Sequence, residues 1–181
     1  LRRFDVVSVE SPAFDGRMFG DVGQYQKITA KATIAIDPDH ELNQDIVDLD
    51  IASVNADGLV EAVADVVILR PVDLAKGSGR IFYEVLNRGD KISFIMMNDA
   101  PWVGYYAGLD VANGHLMNEG YTVVWSGWQG DLPPGKNRMT LNVPVLKGVT
   151  GLVRDEIVFN HDYNPFVATL SSPAATLDTN K

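Results

Sequence analysis

Short apolar runs recur along this chain at strand length, each closed off by Gly, Pro, Asp or Asn: "RFDVVSVE", "YQKITAKATIAI", "VEAVADVVIL", "RIFYEVL", "YTVVWSGW", "MTLNVPVL" and "LVRDEIVF". β-Branched and aromatic side chains pack well on a pleated surface, and the bounding residues favour turns, so these runs predict strands. In "KITAKATIAI", Ile28, Ala30, Ala32, Ile34 and Ile36 share one face and Lys27, Thr29, Lys31 and Thr33 the other, as a strand with one wet face requires. That alternation predicts antiparallel pairing with the apolar set facing the core and the lysines outward.

"TVVW" and "RIFYEVL" are more continuously apolar, which suits strands covered on both faces in a parallel sheet. The long segment between them reads as loop with one or two short helices. Asp110 and Asn113 are candidate helix caps, Leu116 and Met117 supply a small apolar face, and Gly120 is a stop. A strand, a helix-bearing connection and a strand make the βαβ pattern, so residues 80–87 and 121–126 are expected side by side as parallel strands. The fold class expected is α/β with a mixed, strand-rich sheet: early antiparallel strands, then a βαβ unit.

A length of 181 residues suits a single domain with a substantial core, and 46% apolar with 22% charged residues excludes a disordered or collagen-like chain. The net charge of −9 argues against nucleic acid or an anionic membrane, both of which need clustered Lys and Arg. No run reaches the roughly 18 apolar residues of a membrane-spanning helix. With no cysteine, thiolate metal sites and cysteine nucleophiles are excluded. The acids Asp37, Asp39, Asp45, Asp48 and Asp50, with His40 among them, lack calcium-loop spacing because Ile46, Val47 and Leu49 interrupt them. They are read as a solvated turn with strand ends. No metal and no cofactor is expected.

The strings "FGDVGQYQKITAKA", "IVDLDIA", "GLVEAVADVVILRPVD", "GRIFYEVLNRG", "GYTVVWSGWQGD" and "PAATLDT" occur in that order. Together they resemble the N-terminal part of the bacterial alpha/beta hydrolase domain-containing protein family, over nearly the whole chain. The resemblance implies the strand-rich N-terminal portion of an α/β-hydrolase sheet, and residues 1–181 as one domain, incomplete at its C-terminal end. It implies a serine hydrolase of esterase or lipase type, with a small-molecule ester as substrate and the remainder of the hydrolase domain as partner. Such chemistry needs a serine in Gly-x-Ser-x-Gly, then an acid and a His. That motif is absent: "KGSGR" and "WSGWQG" have the wrong spacing, and His40, His115 and His161 precede any place the family order gives the catalytic His. The nucleophile, acid and His are therefore expected outside these residues. A periplasmic or secreted home is favoured over a cytoplasmic one by the lack of cysteine and by the resemblance.

What the resemblance leaves to this segment is an oxyanion-hole loop, which it places at Asn87, Arg88 and Gly89 after the apolar strand. Gly89 lets backbone approach a ligand closely, and Asn87 and Arg88 carry side-chain donors, although Arg88 has Glu84 and Asp90 as alternative ion-pair partners. An ordinary strand-ending turn is the plainer reading of the same residues. Trp125 and Trp128 are candidates for the wall of a substrate pocket, with core packing as the plainer reading. The competing functional class is a non-catalytic, β-rich carbohydrate- or protein-binding module, with Trp102, Tyr105 and Tyr106 as its stacking surface.

Overall fold

The computed structural model describes residues 1–101, 110–132 and 138–152. Its strands are β1 (Arg3–Glu10), β2 (Tyr25–Ile36), β3 (Val60–Pro71), β4 (Ile81–Val85), β5 (Thr122–Ser126) and β6 (Leu141–Asn142). They form one six-stranded sheet in the order β1-β2-β3-β5-β4, and β6 pairs with β3 beside β5. The helices are α1 (Ser93–Met97) and α2 (His115–Asn118). The run "LVRDEIVF" beyond Leu152, together with Trp102, Tyr105, Tyr106 and His161, lies outside the described residues.

The expected parallel pair is present, with Ile81 opposite Thr122 and Val85 opposite Ser126. Every other pairing in the sheet is antiparallel. The expectation of an α/β fold, the N-terminal portion of an α/β-hydrolase sheet with a βαβ unit, is therefore corrected: the architecture is strand-rich, a mostly antiparallel sheet with two short helices. Local sequence limits them. Asp99 at φ 54° and Pro101 follow α1 closely, and α2 is confined between Gly114 at φ 73° and Gly120 at φ 72°. Helices of five and four residues are too short to stand without the tertiary packing that holds them. Asn113 Oδ1 accepts from the His115 amide at 2.9 Å, and Asp110 turns back on the Ala112 amide at 2.8 Å without starting a helix.

β2 and β3 pair over their whole length, from Tyr25 opposite Pro71 to Ile36 opposite Val60. Opposed residues share a face, so the register places Tyr25, Leu69, Val123 and Trp125 on one side and Ala30, Ala32, Ala64 and Val66 on the other. The larger cluster lies on the first side, where Phe94, Leu116 and Met117 of the two helices cover the sheet. The alanine-rich cluster on the second side includes the expected Ala30 and Ala32. The alternation expected for β2 is thus met at its centre, where Lys31 is exposed. It fails elsewhere: Lys27 lies opposite Leu69 on the face of the larger cluster, and at the end of the strand Thr33 is buried and Ile34 is 37% exposed. Alternation assigns residues to faces, but which face is covered depends on the segments that fold over it.

β6 is only two residues long although "MTLNVPVL" reads as a full strand. Pro144 has no N–H to give a ladder, and pairing stops short of it.

Candidate functional site

β4 runs directly into Asn87-Arg88-Gly89-Asp90. The Asn87 amide donates to the Asp90 carbonyl at 3.2 Å and the Asp90 amide to the Asn87 carbonyl at 3.0 Å, while Arg88 and Gly89 both have positive φ, 49° and 82°. Two consecutive left-handed residues inside a mutually bonded pair make a tight hairpin-type turn. The amides of Asn87 and Asp90 are spent on each other. Those of Arg88 and Gly89 make no backbone bond among the described residues.

The turn is anchored on its far side. The Met139 amide donates to the Gly89 carbonyl at 2.9 Å, Arg88 pairs with Asp131 at 3.6 Å, and Arg138 with Asp90 at 3.4 Å. Arg88 is therefore held by Asp131, not by the Glu84 or Asp90 that sequence proximity suggests. A Cβ on Gly89 would lie 2.6 Å from Leu132 Cδ1 and 2.7 Å from the Met139 carbonyl oxygen. Asp131 and Leu132 also line an open groove of about 890 Å³, together with Asp48 and mostly aliphatic side chains such as Ile36, Val47, Val60 and Val143. The turn thus abuts an apolar groove in the size range of small-molecule sites.

Trp125 and Trp128 part company. Trp125 has 0% exposure, with its ring edge-to-face on Phe94 at 5.4 Å and its indole N–H donated to Glu84. It presents no surface to a ligand. Trp128 is 50% exposed and donates its N–H to the Leu86 carbonyl at 2.8 Å, beside the turn.

In sequence Glu84 stands only as an alternative ion-pair partner of Arg88, yet it organises this end of the molecule. It is buried, and besides the indole it accepts the amides of Ile92 at 2.6 Å and Ser93 at 3.0 Å, which begin α1. A buried carboxylate is tolerated where several donors satisfy it. The signal was an acid inside "IFYEV" at the same strand parity as Phe82, opposite the exposed Ile81, Tyr83 and Val85.

Lys91 reaches over the Trp125 ring, 5.9 Å from its centroid. Burial pushes its amine below the ordinary lysine range, against the opposing pull of Glu84, Asp65 and Asp90. The unfolded chain then holds this proton to a higher pH than the folded one. The cost of burying the cation is fully present below the folded value and is relieved as pH rises toward the ordinary one. Lys91→Met is expected to be more stable than the parent near neutral pH in urea denaturation, with the gap narrowing as pH rises into the lysine range. A gap independent of pH would show that Lys91 is not a buried cation.

His40 accepts from the Leu42 amide through Nδ1 at 3.1 Å ahead of the 3₁₀ turn Glu41–Asn43, and of the neighbouring aspartates only Asp50 lies in a 3₁₀ turn, Leu49–Ile51, which Asp48 precedes. Among the described residues no group of three or more metal-ligating side chains comes together, and no helix is long and apolar enough to cross a membrane. No family model, curated protein or solved structure matches this chain.

Proposed function

We propose that this chain is the amino-terminal section of a serine hydrolase of esterase type, in which Asn87-Arg88-Gly89 lies against the carbonyl oxygen of an ester whose apolar part occupies the adjoining groove. The observation that carries this reading is the turn itself: two left-handed residues at the end of β4, next to an apolar groove of about 890 Å³. The reaction class rests on the resemblance of the ordered strings to the bacterial hydrolase family. The serine, acid and His belong to residues outside this chain. The amides of Arg88 and Gly89 and the exposed Asn87 side chain are the donors for charge that develops on the oxygen.

The test uses the complete polypeptide that carries this chain. A fluorophosphonate should label one serine outside residues 1–181, and Asn87→Ala should lower kcat on a simple ester by about 100-fold with little change in KM, because an oxyanion donor acts mainly in the transition state. No labelled serine, a label inside these residues, or parental turnover by a folded Asn87→Ala protein would each defeat the proposal. Gly89→Val is a poor probe, since at φ 82° the added side chain meets Leu132 and the Met139 carbonyl.

A further inference from the structure

β1 is an edge strand. Among the described residues it pairs only with β2, so its other side carries backbone N–H and C=O groups with no strand against them. Such an edge is a template for another strand, and folded proteins usually blunt it with proline, with a β-bulge or with charges that repel a second copy. β1 contains no proline, and its apolar residues Phe4, Val6, Val7 and Val9 are 41%, 55%, 63% and 54% exposed.

The register against β2 shifts between Val6 and Ser8, so Val7 is an extra residue. The bulge changes which face each residue takes. Phe4, Val6 and Val9 lie opposite Ala32, Ala30 and Ile28 on one face, and Arg3, Asp5, Ser8 and Glu10 lie opposite Thr33, Lys31, Thr29 and Lys27 on the other. With Val6 and Val7 counted as one position, the strand reads Arg, Phe, Asp, Val, Ser, Val, Glu. That order is its own complement when a second copy runs antiparallel. Arg3 then opposes Glu10, Phe4 opposes Val9 and Asp5 opposes Ser8, each pair on a common face, and each occurs twice.

We infer that β1 is the docking edge for a second copy of this chain, paired antiparallel about a two-fold axis at Val6 and Val7. An isologous contact of this kind closes after two copies and joins the two sheets edge to edge. The charges favour that partner. Arg3 and Glu10 sit at opposite ends of the strand with side chains 68% and 48% exposed, so the two-fold brings opposite charges together at both ends. Their pairs within one chain, Arg3 with Asp5 and Glu10 with Lys27, are solvent-exposed and leave both side chains able to reach a partner.

Sedimentation of the complete polypeptide that carries this chain, over a concentration series, should show a monomer–dimer equilibrium. Arg3→Glu and Glu10→Arg should each weaken the dimer about tenfold, because one substitution turns two attractive pairs into two repulsive ones. Mixing the two variants restores opposite charges at both ends, and the mixed dimer should be tighter than either variant alone. A chain that stays monomeric, a dimer indifferent to either substitution, or a mixture no tighter than its components would overturn the inference.

Discussion

Trp125→Ala is expected to lower the free energy of unfolding by about 4 kcal/mol, within the range for large-to-small aromatic changes in a core. The indole is wholly enclosed on the helix-covered face of the sheet, so its removal leaves a cavity beneath Phe94. It also takes one of three donors from the buried Glu84 carboxylate, and a buried charge left short of a hydrogen bond adds to the cost. Trp125→Phe separates the two contributions, since it keeps most of the packing and loses only the N–H. Its expected cost is about 1–3 kcal/mol. Urea denaturation should show the midpoint falling without a change in slope. An alanine variant within 1 kcal/mol of the parent, as an order-of-magnitude bound for a surface change, would mean that the indole is not the enclosed anchor described.

Gly127→Ala is the second large effect, and its origin is steric. A Cβ at Gly127 would stand 2.2 Å from the Thr140 carbonyl oxygen and 2.4 Å from its carbon. Backbone cannot swing aside as a side-chain tip can, and this backbone is tied down. The Thr140 amide donates to the Asp65 side chain at 2.8 Å, the Asp65 amide to the Thr140 carbonyl at 3.0 Å, and the Gly127 amide to the Asp65 carbonyl at 2.8 Å. A single methyl group therefore pushes β5 from the segment leading into β6. The expected loss is about 3 kcal/mol, the upper part of the range for overpacking. Thermal unfolding followed by circular dichroism reads this directly. An unchanged midpoint would show that the two segments are not in contact.

Much of the strand content was legible because it rests on local preference. The runs at 3–10, 25–36 and 60–71 become β1, β2 and β3, and the strand, helix and strand order predicts the parallel neighbours β4 and β5. The continuous apolar character of β4 predicts cover on both faces, which fails, since Ile81, Tyr83 and Val85 are exposed. The short helices were legible too, since Gly120 and the apolar pair Leu116 and Met117 mark α2 on the chain itself. The larger architecture was not. The resemblance implies a mixed, strand-rich part of an α/β-hydrolase sheet with early antiparallel strands and a βαβ unit, whereas the helical segments here span a single turn or little more and all but one pairing is antiparallel.

At the candidate site, the position of Asn87-Arg88-Gly89 after a strand follows from sequence, because Asn and Gly favour turns. That Arg88 is held by Asp131, and that the turn lies beside an apolar groove, depends on residues some forty positions away. Glu84 is the clearest contrast. In sequence it is an acid in a strand, and only the descent of α1 onto the sheet and the indole of Trp125 turn it into a satisfied buried carboxylate. Sequence by itself determined where β1 to β5 and their turns fall, since backbone preference and side-chain alternation are properties of neighbouring residues. Tertiary structure decided which sheet face became the main core, which tryptophan was enclosed and which charges found partners, because burial and desolvation are set by segments distant in the chain.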